Sequence, residues 1–437
     1  PFDEQDVVGF GLENLDLGIA IMKANLQLFG QTIQTEQFYS IGGHLDQVGL
    51  YGLGDVMKVR ASDVTLQIQQ GGQLFGGVMR ATADYKSSFP EQPSTNGNPA
   101  VPAGLKIDTG GEPVYLDLEG NDLINVDVGK AVIQISEFLH LQGSLSFRMG
   151  DVYNAALDLG GLGPIVDQVA AALGSVANPN LDLTLNPFPL QMEAITIGGA
   201  NLTGFVGIGG PYRYGDDLVG EIDELTGLPI PDGLPDKINE NAIGLVIDNV
   251  DFGVAVMQST LLDLIPNSAS YTPKFISAKA SIGEAGLVGV DENILSAELK
   301  DVEVNINTMF WYVGEATATA ILNAGLQLFG PPSINYKESP EWKDYTEDLN
   351  GNGILDLGED LNRNGVLDAG EDLNGDGLLQ ESEDKNTNGV IDTAGFMLPA
   401  GGNNGVFMDF DTEIIQAKVG YAEVNLAGFL QMSGSMA

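Results

Sequence analysis

The stretch Val8–Met22, VGFGLENLDLGIAIM, carries the clearest strand pattern of the chain. From Leu15 onward, large aliphatic residues alternate with small or polar ones, which is the period of a β-strand with one large and one small face. The pattern returns without a gap as Ile243–Met257, IGLVIDNVDFGVAVM. The identical positions are Gly9/Gly244, Asn14/Asn249, Asp16/Asp251, Gly18/Gly253, Ala20/Ala255 and Met22/Met257. The sequence therefore indicates an internal duplication of a β-structure.

Further matches extend the duplication along the chain. Phe38, Ser40, Gly49 and Asp63 correspond in order to Phe275, Ser277, Gly286 and Asp301, and Gly129–Ser144 resembles Gly420–Ser435. A shorter motif, aliphatic-Gly-x-Ala, occurs at Val128–Ala131, Ile197–Ala200, Ile282–Ala285 and Val419–Ala422, and more loosely at Ile41–His44. We predict an all-β fold with an elongated tandem-repeat architecture, either β-solenoid-like or of stacked sheets. Tandem antiparallel β-sandwich modules are the alternative.

Irregular segments divide the predicted repeats. Pro90–Gly111 is rich in Pro, Gly and Asn and is predicted to be a loop. A short helix is predicted over Ile165–Leu173, after Pro164 at a favoured first position. The predicted organisation is a first β-repeat copy (1–210), a connecting loop (211–239), the first part of the second copy (240–337), an inserted calcium block (338–395) and the rest of the second copy (396–437). Because the chain lacks an initiator Met and stops in mid-pattern, we expect a piece of a longer repetitive protein.

The segment Asp348–Asp392 contains one short motif four times: DLNGNGILDLGE, DLNRNGVLDAGE, DLNGDGLLQESE and DKNTNGVID. Its first acids, Asp348, Asp360, Asp372 and Asp384, are twelve residues apart. Calcium takes six to eight oxygen ligands, so a loop that holds it must turn sharply and aim oxygens inward at alternate positions. Glycine at the sixth position permits that turn. The spacing therefore predicts four successive calcium-binding loops.

The predicted ligands follow the positions of such a loop. Positions one, three and five are Asp348, Asn350 and Asn352, then Asp360, Asn362 and Asn364, then Asp372, Asn374 and Asp376, then Asp384, Asn386 and Asn388. The carbonyl at position seven belongs to Ile354, Val366, Leu378 and Val390, and position nine is Asp356, Asp368, Gln380 and Asp392. The bidentate acids at position twelve are Glu359, Glu371 and Glu383. The fourth loop has Gly395 there, so we expect its ion to be weaker or completed from elsewhere.

Each acid at position twelve is followed at once by the next loop, which leaves no room for the flanking helices of an EF-hand. Abutting loops of this kind resemble the calcium repeats of thrombospondin type 3 and, more loosely, dockerin loops. The resemblance implies bound calcium as the cofactor. The distance between matching strands is longer in the second copy, so we interpret the block as an insertion where the first copy has Pro90–Pro113.

Composition limits the possible functions of the 437-residue chain. Its net charge of −43 argues against nucleic acid and against anionic membrane surfaces as partners. The absence of cysteine excludes disulfides and thiol catalysis. No apolar run reaches about 18 residues, so no transmembrane segment is predicted. Loops rich in Asn should bind calcium weakly, which suits the high calcium concentration outside cells.

No catalytic motif is found in the sequence. The two histidines are His44, near a glycine turn, and His140, which we predict to be an exposed strand residue. There is no nucleophile elbow and no phosphate-binding loop, although acidic pairs are too numerous to exclude a glycosidase dyad. Gly- and Ala-rich strand faces are predicted to pack closely, with a lipid-carrying groove as the alternative.

The long, acidic, cysteine-free repeats resemble those of giant bacterial surface proteins and adhesins. That resemblance implies an extracellular or cell-surface location and a structural role without catalysis, as a fibre, stalk or surface-matrix unit that self-associates. The alternative is a secreted β-helical protein that binds or hydrolyses carbohydrate or lipid and is braced by calcium.

Overall fold

The computed structural model describes residues 9–23, 25–28, 31–34, 37–51, 56–74, 79–92, 101–111, 113–158, 188–214, 237–259, 274–310, 331–348, 383–384, 386 and 390–437. These residues are almost entirely β-structure, and the one helix among them, α1, is the four-residue Tyr85–Ser88. The all-β prediction is therefore confirmed. Its finer form, a tandem-repeat solenoid, stacked sheets or sandwich modules, stays a prediction. The predicted helix lies outside the described residues, as do residues 215–236 of the predicted connection.

The strands of the described residues are numbered in chain order. They are β1 (Gly9–Met22), β2 (Asn25–Leu28), β3 (Gln31–Gln34), β4 (Phe38–Tyr51), β5 (Met57–Gln70), β6 (Gly72–Leu74), β7 (Met79–Ala81), β8 (Leu105–Ile107), β9 (Val114–Leu116), β10 (Leu123–Ile135), β11 (Leu139–Asp158), β12 (Phe188–Ile208), β13 (Arg213–Tyr214), β14 (Lys237–Ile238), β15 (Ile243–Ser259), β16 (Lys274–Val288), β17 (Leu295–Phe310), β18 (Ser333–Asn335), β19 (Phe396–Gly401), β20 (Asn404–Met408), β21 (Ile414–Leu426) and β22 (Leu430–Met436).

Twelve of these strands form one antiparallel sheet in the order β1-β4-β5-β10-β11-β12-β15-β16-β17-β21-β22, with β18 paired to β11. Neighbours in the sheet follow one another along the chain, apart from the short elements that lie between them. The hairpins β2–β3, β6–β7, β8–β9 and β19–β20 and the pair β13–β14 form small separate sheets.

The two faces of the sheet differ in side-chain size. On one face the register places Ile19 opposite Ile41 and Ile41 opposite Ile68, which begins a row of large aliphatic residues. On the other face lie small residues such as Gly18, Gly198 and Gly253. A Cβ on Gly18 would lie 3.0 Å from Val114 of β9, and one on Gly253 would lie 2.9 Å from Met408 of β20. The small face therefore packs closely, against hairpins of the same chain.

Two caps cover the small face and correspond in detail. The first cap comprises residues 84–89 and 104–118, and the second comprises residues 335–345 and 394–410. Each begins with a buried tyrosine, Tyr85 or Tyr336, and each ends in a hairpin. The pairs Leu105–Leu116 and Ile107–Val114 of β8–β9 match the pairs Phe396–Met408 and Leu398–Val406 of β19–β20.

Left-handed residues occur at corresponding positions of the two copies. Asn14 and Asn249 have φ of 48° and 52°, and Asp63 and Asp301 have φ of 53° and 52°. Asn and Asp tolerate this conformation better than other non-glycine residues. The register of β10–β11 shifts between Val128 and Ala131, and that of β21–β22 shifts between Val419 and Ala422. Both correspondences agree with an internal duplication.

The same geometry explains the glycine of the aliphatic-Gly-x-Ala motif at three of its four places. Gly129 faces the left-handed Asp63 on the neighbouring strand, and a Cβ there would lie 2.5 Å from the Asp63 carboxylate. A Cβ on Gly283 would lie 3.0 Å from the Asn249 Cβ, and one on Gly420 would lie 2.8 Å from the Asp301 Cβ. Glycine is required at these positions because the bent neighbouring strand occupies the space of a side chain.

The prediction of a loop over Pro90–Gly111 was wrong in part. Leu105–Ile107 forms β8, and Gln92 and Val101 form an isolated bridge. Leu105 and Ile107 pack against a core cluster that contains Tyr85 and Leu116. Two apolar residues with one residue between them form too short a pattern to distinguish a strand from a loop. The strand β8 forms because it pairs with β9.

Candidate calcium-binding insert

The structure describes only the edges of the predicted calcium block. Of the predicted ligands, Asp348, Glu383, Asp384, Asn386, Val390 and Asp392 are described, and those in residues 349–382 together with Asn388 lie outside the described residues. Among the described residues, no group of three or more acidic or histidine side chains is placed to hold a metal ion. The four loops therefore remain a prediction from sequence, while the structure shows where they are anchored.

The two ends of the insert, residues 345–347 and 392–394, are hydrogen-bonded to each other, and we call this pair of segments the neck. The Glu347 amide donates to the Asp392 carbonyl at 3.1 Å, and the Asp392 amide donates to Glu347 Oε2 at 3.0 Å. Thr346 and Thr393 form a β-bridge, and the Ala394 amide donates to the Tyr345 carbonyl at 2.9 Å. The block therefore leaves the second cap and returns to it at one place, as an insertion in a loop would.

Glu347 lies in the neck although it was not among the predicted ligands. The residue is only 2% exposed, and its carboxylate accepts the Asp392 amide, as a buried carboxylate needs a hydrogen-bonded or charged partner. A sequence signal for it exists: Glu347-Asp348 is the first of four Glu-Asp pairs, with Glu359-Asp360, Glu371-Asp372 and Glu383-Asp384 following at twelve-residue intervals. Glu347 therefore stands in the phase of a twelfth-position acid before the first loop.

Two predicted ligands of the fourth loop lie at the neck. Asn386 and Asp392 are positions three and nine of that loop, and the Asn386 amide donates to Asp392 Oδ2 at 2.6 Å. The two side chains are therefore hydrogen-bonded directly to each other. Gly395, at position twelve, has no space for a side chain, since a Cβ there would lie 2.5 Å from the Phe407 ring. That the ion of the fourth loop is weaker or completed from elsewhere stays a prediction, and the acid that contacts Asp392 in the structure is Glu347.

An aromatic cluster supports the base of the insert. The Trp342 ring lies 4.9 Å from the Phe396 ring and 5.0 Å from the Tyr336 ring, both nearly parallel to it. Tyr153 of β11 lies 5.2 Å from Phe396. Burial raises the pKa of Tyr336 and of Tyr153. The cluster connects the second cap, from which the insert leaves, to β11, which precedes it by about 180 residues in the chain.

Polar contacts from the β19–β20 hairpin strengthen the same connection. Ser144 of β11 donates to the Ala400 carbonyl at 2.8 Å. The Gly402 amide donates to Asp127 Oδ1 of β10 at 2.6 Å. Burial raises the pKa of Asp127 although this hydrogen bond favours its ionised form. The second cap thus contacts strands of both copies, whereas the first cap covers β1 and β4.

The prediction that His140 is exposed was wrong. Its side chain is 7% exposed, and its ring centroid lies 6.1 Å from that of Phe205. Residues 211–213 line the same small pocket as His140, and Tyr212 packs against the cluster of Phe205 and Val246. Desolvation by burial lowers the pKa of His140, so its imidazole is neutral. Strand alternation could not predict this because a segment outside the strand provides the cover.

Neither histidine lies in an arrangement that defines a reaction. His44 Nδ1 is 3.5 Å from Thr65 Oγ1, and His44 Nε2 is 3.4 Å from Asp46 Oδ1. These side chains lie on the surface of the sheet, with that of His44 43% exposed. His140 borders a small pocket of about 40 Å³ beside the Arg213–Asp248 ion pair, whose charged atoms are 2.7 Å apart. The prediction of a non-enzymatic role remains a prediction.

Comparison with known protein families finds no match, nor does comparison with curated proteins or with solved structures. Within the described part of the chain, no helix has the length and apolar character needed to cross a membrane.

Proposed function

We propose that this chain is a calcium-stabilised structural protein of the cell exterior, a unit of a fibre, stalk or surface matrix that performs no catalysis. The observation that carries the proposal is the phased four-loop block, whose ends meet in a neck at the second cap. A block of this kind adds a rigid acidic projection when ions offset its carboxylates. The long antiparallel sheet supplies a body on which such a projection can be fixed.

Four ions are the expected content of the block. The first three loops have all six ligand positions, and Glu347 supplies the twelfth-position acid of the fourth. Under this proposal the block closes on itself, since the acid that precedes the first loop completes the last. The two buried acids at the ends of the block, Glu347 and Glu383, would contact these ions in addition to the contacts that they make within the chain.

Native mass spectrometry and calorimetric titration of the whole chain test the proposal. The expected result is saturable binding of four calcium ions at millimolar calcium or below. Glu371→Gln should weaken one site by removing a bidentate acid from the second loop, and Glu347→Gln should weaken a different site. A chain that binds no calcium at millimolar concentration would contradict the proposed role. Four unchanged sites in Glu347→Gln would contradict the assignment of the fourth acid alone.

A further inference from the structure

Strands β1 and β15 are duplicates in different surroundings. Both carry a left-handed asparagine, Asn14 or Asn249, and the corresponding residues Gly18/Gly253 and Ala20/Ala255. Strand β15 is paired on both sides, with β12 and β16. Within the described part of the chain, β1 is paired on one side only, with β4, the counterpart of β16.

Side-chain exposure reflects this difference. Ile19 and Ile21 of β1 are 52% and 58% exposed. Their counterparts Val254 and Val256 are half-buried, because Ile197 and Ile195 of β12 lie opposite them. Strand β1 therefore exposes apolar surface that its duplicate covers with a neighbouring strand.

We propose that the outer edge of β1 is a docking site for an extended segment with the sequence pattern of β12, added antiparallel to β1. The β12–β15 pair is the template. It places Gly198 opposite Gly253, Thr196 opposite Ala255 and Ala194 opposite Met257. On β1 the equivalent positions are Gly18, Ala20 and Met22. A sheet edge binds such a segment through main-chain hydrogen bonds, and alternate side chains determine which segment fits.

Two features of the template make the site selective. The first is a polar contact: the amide of the left-handed Asn201 donates to Asp251 Oδ1 at 2.8 Å, and β1 retains the equivalent carboxylate as Asp16. The second is a requirement for glycine. The backbone of the β19–β20 hairpin at Pro399 lies directly over Gly198, where a Cβ would collide with it. By the correspondence of the hairpins, the segment that follows β8, at Asp108, occupies the equivalent place in the first copy.

This inference rests on the proposed structural role, since it identifies an edge at which a separate segment with the β12 pattern extends the sheet, but it does not involve the calcium block. The test uses the full chain and a fluorescent peptide with the sequence of residues 188–208. Saturable binding measured by anisotropy is expected, together with slower amide hydrogen exchange in residues 15–22 of the chain. The result should be the same with calcium and with a chelator, so that failure here is distinguishable from failure of the calcium proposal.

Matched variants define the outcome. Asp16→Asn should weaken peptide binding about tenfold, since the neutral amide oxygen accepts a weaker hydrogen bond than the charged carboxylate. Glu13→Gln removes the same charge from the same strand and should change binding less than twofold. A peptide with Gly198→Val should not bind. Absence of binding, protection outside β1, equal effects of the two charge variants, or protection of β1 by a second copy of the chain in place of the peptide would each overturn the proposal.

Discussion

The two caps share one design and differ in one loop. In both, a buried tyrosine begins a turn and a hairpin of the same register ends it. The Gly104 amide donates to the Phe89 carbonyl at 2.8 Å, and the Ala394 amide donates to the Tyr345 carbonyl at 2.9 Å. Between these bonded residues the first cap has residues 90–103, closed by the Gln92–Val101 bridge, and the second has residues 346–393, closed by the Thr346–Thr393 bridge.

The difference between the caps shows how the insert was accommodated. The hairpin, the turn and the small sheet face are the same with a short loop and with a long one, because loop-closure entropy rises only slowly with loop length. The second cap has gained an aromatic cluster that the first lacks: the core of the first contains Tyr85, whereas that of the second contains Tyr336, Trp342, Phe396 and Phe410. We infer that the larger insert is accompanied by a stiffer base.

Removal of calcium should have the largest effect, and it should affect the insert of the second cap but not the first cap. With a chelator, we expect residues 348–392 to lose order, because unshielded carboxylates repel one another, while the strands and the first cap persist. Limited proteolysis followed by mass spectrometry should place the new cleavage sites in the insert. Circular dichroism should retain its β signal, and microscopy of the same sample should show looser assemblies.

Residues 90–103 serve as the internal control for chelation. Their rate of cleavage should not depend on calcium, since they contain no loop motif. Loss of the whole β signal would mean that calcium holds the sheet itself and would contradict the description of the block as an insertion. Unchanged assembly would mean that contacts elsewhere build the fibre.

Trp342→Ala should destabilise the second cap by about 4 kcal/mol, because a large buried aromatic side chain leaves a cavity. Phe89→Ala, in the turn of the first cap, should cost less than about 1 kcal/mol, since Phe89 is half-exposed. Urea unfolding followed by far-ultraviolet circular dichroism, which does not depend on a tryptophan signal, measures both losses of stability. Equal costs would show that the aromatic cluster is not the base of the insert.

Gly129→Ala should cost about 2 kcal/mol, because its Cβ would meet the Asp63 carboxylate and the packed strands must move apart. Gly434→Ala is the matched control, as a Cβ there has nothing within 4 Å. Thermal unfolding of the two variants compares them directly. A similar loss of stability in both would mean that the glycine motif reflects backbone freedom and not the close approach of the Asp63 side chain.

Local patterns in the sequence predict the all-β character of the chain, whereas the repeat organisation and the insertion stay predictions. The alternation in Leu15–Met22 and the left-handed asparagines Asn14 and Asn249 are local features, which a short stretch of sequence determines. The sequence does not predict contacts between distant segments: the burial of His140 beside Phe205, the pairing of β8 with β9, and the contact of Glu347 with Asp392. Each of these depends on a partner far along the chain. The phase of the Glu-Asp pairs is the one signal that could have identified Glu347 in advance.

The pH dependence of stability should be the smallest effect, and it tests the buried His140. Burial lowers the pKa of His140 from the ordinary value of 6.5, so the unfolded chain binds this proton more readily than the folded chain. The stability that the neutral imidazole contributes is therefore present above pH 6.5 and is lost as the pH falls below it. His140→Gln should remove that slope. Urea midpoints measured from pH 7.5 to pH 5 for the wild type and the variant give the comparison. A slope that survives in His140→Gln would show that other groups cause the acid sensitivity and that solvent reaches the imidazole in the folded chain.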